Sequence, residues 1–210
     1  MDFGLAFSYV FRDPQWVKKV LIAGLLFFIP IIGWAMILGY GLQIIRNVYM
    51  GADTILPEWT DFGNLLVSGI IVWVGIFIWT LPVTIISSIL QFSSDSDTSL
   101  LFTCLFLPIQ LVYQAVFPPI VTARYAINRE FSTMFQFGEV FADIQRAGSA
   151  LAILFGVTIV AYLVGAVGLI ACLIGVVFTG AYAGFVVAHA TGQVYRKASG
   201  QAPQPQQPAF

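Results

Sequence analysis

Few side chains in this 210-residue chain carry reactive chemistry, and those few are scattered. His189, the single histidine, stands in an apolar run near the end of the last helical segment. There a helix-end hydrogen bond is a plainer reading than a proton relay. Asp53, Glu58 and Asp61 are three carboxylates that could face a cytosolic substrate or metal, although a solvated loop paired with neighbouring arginines is the simpler account. Asp95, Asp97 and Ser99 have the spacing that opens a calcium loop but lack its glycine and its distal glutamate. Cys104 and Cys172 both lie in apolar runs, where cysteine acts as a small buried hydrophobe more readily than as half of a disulfide. No Ser/His/Asp set, metal-spaced His/Cys cluster or phosphate-binding glycine loop occurs, and no ionisable group lies in the middle of an apolar segment as proton-coupled transport requires. The expectation is a protein without catalytic residues, cofactor or metal.

Two sets of uncharged residues offer binding surfaces instead. Gly180, Gly184, Ala188 and Gly192 recur at every fourth position, a small-residue ladder that lets helix backbones approach closely. Such a face packs either against another helix of the same chain or against a separate subunit or second copy. Thr80, Thr84, Gln110 and Gln114, set among Pro82, Pro108, Pro118 and Pro119, could line a cavity between bent helices and suit a lipid or neutral solute.

The elements that must position these residues are apolar helices. The chain is 59% hydrophobic and 9% charged, with a mean hydropathy of +0.91, far from the ~25% charged residues of soluble domains. The longest uncharged stretch, 147–195, would measure roughly 70 Å as one helix, more than twice the ~30 Å hydrocarbon core of a bilayer. It must fold back, and Gly168–Cys172 is the natural place. A net charge of −1 leaves no basic stripe for nucleic acid. Asp2 stands where a cleavable signal peptide has its basic region, so the first helix is expected to be retained.

In chain order, residues 2–12 read as an amphipathic helix on the membrane surface, with Phe3, Phe7, Val10 and Phe11 on one face. Asp13-Pro14 starts a new helix, and Trp16, Lys18 and Lys19 place its beginning at the interface. Pro30-Ile31-Ile32-Gly33 interrupts the next apolar run as either a kink or a hairpin turn. Charge favours the turn: with hairpins at 14–49, 64–123 and 147–195, all nine Lys and Arg residues fall on one side. The arms of the first hairpin are short for full spans, so it is expected to be re-entrant or to sit where the bilayer thins. Polar Gln91–Ser99 fits an outside loop. A second amphipathic surface helix is expected at 133–146 and a flexible Gln/Pro-rich tail at 198–210.

Three lead-ins share a Phe-Gly step, at Phe3-Gly4, Phe62-Gly63 and Phe137-Gly138, and each following apolar hairpin exits through an arginine, at Arg46, Arg124 and Arg196. This pattern predicts three copies of one unit, the first shortened. Asp13-Pro14-Gln15-Trp16-Val17-Lys18-Lys19, the Ile29–Trp34 turn, Gly39-Tyr40, Leu56-Pro57-Glu58-Trp59 and Asp61-Phe62-Gly63 resemble the domain of unknown function 4013 family of prokaryotic multi-pass membrane proteins. The similarity is greatest in the first third of the chain, and Gly192–Arg196 resembles a closing signature. The resemblance implies an integral membrane protein and supplies no activity.

The expected architecture is therefore an all-α polytopic membrane bundle of three helical hairpins, about six membrane segments, with interfacial helices. It is expected in a prokaryotic cytoplasmic membrane with both termini cytoplasmic. The expected role is a scaffold or accessory subunit, with membrane lipids and other membrane subunits or a second copy as partners and no nucleic acid. The alternative is a passive carrier or lipid-handling protein with its cavity at the second hairpin.

Overall fold

The computed structural model describes residues 3–52, 56–92, 96–171 and 174–200, and among these no strand occurs. Asp53, Asp95, Cys172 and residues 201–210 lie outside the described residues, as do the side chains of Asp97 and Ser99. Eight α-helices follow in order among the described residues: α1 (Phe3–Ser8), α2 (Trp16–Phe27), α3 (Ile32–Tyr49), α4 (Phe62–Phe92), α5 (Ser96–Asn128), α6 (Phe137–Ala147), α7 (Ser149–Val167) and α8 (Ile174–Ala198). Short 3₁₀ segments at Tyr9–Arg12, Phe131–Phe135 and Gly168–Ala171 extend or link them.

Local chemistry sets the breaks. Pro14 follows Asp13, whose Oδ1 accepts the Gln15 N–H at 2.7 Å, so the chain turns before α2 begins at Trp16. At the next break the chain reverses rather than kinks. Ile31 has φ 68° and ψ −67°, and the Ile32 N–H donates to Pro30 O at 2.8 Å, closing a γ-turn of a kind that costs strain in any residue with a Cβ. Gly33 N donates to Ile29 O at 2.9 Å, and α3 then packs back on α2. After α5, Arg129 takes φ 59° and donates its N–H to Tyr125 O at 2.9 Å, a left-handed helix stop filled here by a non-glycine residue. The 3₁₀ turn at Gly168–Ala171 falls where 147–195 has to fold back.

Among the described residues, four helices are long and apolar enough to cross a membrane: Phe62–Phe92, Leu101–Asn128, Ser149–Val167 and Gly175–Ala198. The other two expected segments do not reach that standard, because α2 has only 12 residues and α3, at 18, carries Gln43, Arg46 and Asn47 in its second half. Proline breaks neither long helix. Pro82 lies within α4, and Pro108, Pro118 and Pro119 lie within a continuous α5. Helical structure also takes in Gln91 and Phe92 on one side and Ser96–Ser99 on the other, leaving less of the expected outside loop non-helical. The expected tail starts later than 198, since α8 runs to Ala198. The second surface helix starts at Phe137, with the 3₁₀ segment covering Thr133.

The core is centred on α3 and α8. Gly39 of α3 sits against the Leu65 carbonyl and Gly69 of α4 against the Ala35 carbonyl, so two glycines bring these backbones together. On the other side of α3, Tyr40 meets Phe185 with ring centroids 5.0 Å apart, and Gly192 packs on Ile45 and Val48. Burial falls steeply away from this centre. Just over half of the most apolar window of α8 is buried inside the protein, against 11% for α5. Ile85, Ile86, Ile89, Leu105 and Ile109, on the far arms of α4 and α5, are each more than half exposed.

Candidate functional site

Among the described residues the buried charged side chains fall into two networks, each tying a lead-in or loop segment to the helices. In the first, Asp13 and Lys19 are both 2% exposed and form an ion pair at 2.7 Å. Lys19 Nζ also reaches the Glu58 carboxylate at 2.7 Å and donates to Leu56 O at 2.8 Å, while the Leu56 N–H donates to Asp13 Oδ2 at 3.1 Å. Burial works against the Lys19 charge, but hydrogen bonds to Asp13 and Glu58 outweigh it and raise the ammonium pKa above its ordinary value. The Trp59 indole donates to Lys19 O at 3.1 Å and the Tyr40 hydroxyl to Pro57 O at 2.6 Å, so Leu56–Trp59 is tied to both α2 and α3.

The second network is built on Arg124, near the end of α5. Its Nε donates to Thr133 O at 2.9 Å, one terminal nitrogen to Gln136 Oε1 at 2.8 Å, and the other pairs with the buried Asp143 carboxylate. Arg146 closes the other Asp143 oxygen at 3.0 Å. Nearby, Trp79 donates its indole N–H to Met134 O at 2.9 Å, fastening the 3₁₀ segment to α4. Arg129 donates to Ser68 Oγ at 3.1 Å, and its buried Nε has no partner.

The first network takes up one of the candidate carboxylates. Glu58 is bound to Lys19, and Asp61 Oδ1 accepts the Asn64 N–H at 3.3 Å at the start of α4. His189 is fully buried, stacked on Tyr9 at 4.0 Å, with the Gln193 amide nitrogen 3.2 Å from its Nδ1. Cys104 is free and exposed on α5. Among the described residues no group of three His, Cys, Asp or Glu side chains could hold a metal.

The small-residue ladder divides in two. Ala188 and Gly192 face α3, whose Gly41 lies near Ala188 and whose Val48 packs on Gly192; a Cβ on Gly180 or Gly184 would meet nothing within 4 Å. Of the four suggested cavity residues, Gln110 is the one that lines the cleft seen between α4 and α5. Thr80 and Thr84 hydroxyls donate back to Phe77 O and Thr80 O of their own helix, each at 2.9 Å. Gln110 lines a cleft between α4 and α5 with Ser87, Gln91, Phe102, Thr103 and Phe106, without Gln114. That cleft has about 50 Å³ of water-accessible space, room for a few waters and not for an organic solute.

Sequence reasoning missed Asp13–Lys19 and Arg124–Asp143. Their separations, six and nineteen residues, match no face of a helix, so periodicity holds no sign of either pair. The local signal that did exist was the Leu56-Pro57-Glu58-Trp59 run, which is the segment the first network grips.

All-helical among the described residues, with four apolar helices of membrane length and a polar interior filled by its own side chains, the chain has the make-up of a membrane protein. The chain belongs to the family described as Protein of unknown function (DUF4013), whose model matches residues 22–176. No curated protein and no solved structure has significant similarity to it.

Proposed function

We propose that the protein is a non-catalytic scaffold or accessory subunit of a prokaryotic cytoplasmic membrane assembly. The observation that carries this reading is the open part of the α8 ladder. Gly184 is exposed and a Cβ on it would meet nothing within 4 Å, while Gly180 has its Cα beside Gly165 of α7 and room only where a Cβ would point, and the residues continuing the same stripe, Ala188 and Gly192, are packed. In lipid, such a surface gains little from hydrophobicity but much from close backbone approach by another helix. The apolar far arms of α4 and α5 add membrane-facing surface that the chain does not cover itself.

The topology that goes with this role is three hairpins, α2–α3, α4–α5 and α7–α8, with both termini cytoplasmic. Arg46, Arg124 and Arg196 near the ends of α3, α5 and α8 support it through the positive-inside rule. Repetition of a unit gains support from the helices that begin at Phe3, Phe62 and Phe137, and from Arg12 and Arg146, each nine residues after its phenylalanine. The carrier alternative has less behind it, since the Gln110 cleft is too small for a solute.

Gentle-detergent purification from native membranes, followed by native mass analysis, tests the role. A stoichiometric protein partner, lost on Gly184→Leu, is the expected result. A lone monomer carrying lipid or solute would sink it.

A further inference from the structure

We propose that α2–α3 is a re-entrant hairpin: it enters the membrane from one face, ends near the bilayer midplane, and has the acyl chains of a single leaflet as its partner. The inference rests on the membrane placement of the helices and not on the accessory role.

The depth argument starts at the base. Leu56–Trp59 is non-helical, and its Glu58 carboxylate, 60% exposed, is ion-paired to Lys19. Irregular backbone with an exposed carboxylate does not persist in hydrocarbon. The level of Lys19 is therefore a water level, and exposed Arg12 and Lys18 flank it. Tyr40 lies at the same level, stacked on Trp59 and bonded to Pro57 O. From Tyr40 to Ile31 is nine residues, about 13 Å of helical rise, and from Lys19 to Phe27 eight residues, about 12 Å. A single leaflet contributes about 15 Å of hydrocarbon. The hairpin reaches across one leaflet and stops.

The tip is made to stay dry. Phe27 through Trp34 contains no charged side chain and no hydroxyl or amide, and Phe28, Ile31 and Ile32 are more than half exposed. Most N–H groups of the turn are closed internally, that of Ile31 having no backbone acceptor among the described residues. Phe28, Ile29, Ile32, Gly33 and Ala35 N–H groups all donate to carbonyls of residues 25–31, and the Trp34 indole donates to Phe27 O at 3.1 Å. A turn in water could leave such donors to solvent. Here Ile31 holds a left-handed φ in a turn that keeps the Ile32 donor internal, a strain that makes physical sense where no water can replace the bond. The tip of α7–α8 is apolar as well, but its arms, at 19 and 25 residues, are long enough to cross.

The test uses the full chain with Cys104→Ser and Cys172→Ser, reconstituted in phosphatidylethanolamine/phosphatidylglycerol vesicles. Cysteine is placed singly at Ile31, at Leu25 and at Glu58. A membrane-impermeant maleimide is expected to label Glu58→Cys from one face, and to label Ile31→Cys and Leu25→Cys from neither until the protein is unfolded. A nitroxide on Ile31→Cys is expected to collide freely with oxygen and about ten-fold less with a polar nickel complex. Labelling of Ile31→Cys from the face opposite Glu58→Cys would overturn the proposal by showing a full crossing. Labelling from the same face would overturn it by placing the tip in water, and weak collision with both quenchers would do so by placing the tip against protein. Should Ile31→Cys not fold, Leu25→Cys carries the same expectations. Native mass analysis giving a lone monomer would end the accessory reading and leave these outcomes unchanged.

Discussion

The rings of Tyr40 and Trp59 lie face to face, their centroids 4.0 Å apart and their planes 9° from parallel. Each ring's polar atom fastens a neighbouring segment: the Tyr40 hydroxyl donates to Pro57 O beside Trp59, and the Trp59 indole to Lys19 O of α2. The stack joins α3, the Leu56–Trp59 run and α2 at one point. Trp59→Ala should destabilise the protein by about 3–5 kcal/mol, through lost packing and the lost hydrogen bond to Lys19 O. Tyr40→Phe keeps the stack and should cost only about 1 kcal/mol. Unfolding titrations in mild detergent separate the two.

Removing Asp13 tests the buried pair beneath that stack. Asp13→Asn leaves the Lys19 ammonium buried with Glu58 as its only carboxylate, and a loss of about 3–5 kcal/mol is expected. Glu58→Gln removes a largely exposed partner and should cost under about 1 kcal/mol. The pH dependence follows from the raised Lys19 pKa. Its stabilisation is complete below the ordinary lysine value of about 10.4 and is lost only as pH rises through the higher folded value. Melting curves from pH 6 to 9 should therefore show no Lys19 transition, and wild type should lose its advantage over Asp13→Asn only in strong alkali.

Arg124 should prove more than a positive charge. It holds Thr133 O, Gln136 and Asp143 with three separate nitrogens, a fork that lysine cannot copy. Arg124→Lys is expected to loosen residues 131–147 while leaving α3–α4 packing intact. Hydrogen exchange should accelerate at least about ten-fold in that segment and remain unchanged in 35–48.

The sequence made the helices legible because apolar runs and their breaks are local. The fold-back at Gly168, the turn at Pro30 and the Phe-Gly helix starts could all be read from neighbouring residues. What could not be read depended on contacts distant in sequence. Gly39 and Gly69 carry no mark distinguishing them from the open Gly63 and Gly138, yet the first pair sets the α3–α4 approach. The hydrogen-bond partners of Thr80 and Thr84 were hidden for a related reason. Thr80 and Thr84 are polar by composition, but each hydroxyl is satisfied within its own helix, so nothing draws them toward Gln114. The ladder was legible as a stripe, and only α3 divides it into packed and open halves.

That division yields a contrast between substitutions of one chemical type. A Cβ on Gly39 or Gly69 would strike a backbone carbonyl of the facing helix, which cannot move aside without separating α3 from α4. Gly39→Ala and Gly69→Ala should each cost about 1–3 kcal/mol. Gly192→Ala should act in the same direction, because its Cβ would stand 2.7 Å from Val48 Cβ and 2.9 Å from Ile45 O. Gly180→Ala and Gly184→Ala enter open space and should leave stability unchanged or raise it by up to about 1 kcal/mol, the gain of replacing glycine within a helix. If the open half is a docking face, Gly184→Leu should abolish association with a partner subunit while the isolated chain melts within about 0.5 kcal/mol of wild type. Unfolding titrations of the purified chain, run beside native mass analysis of its complexes, read both quantities. Unchanged association with Gly184→Leu would mean that only lipid meets this face.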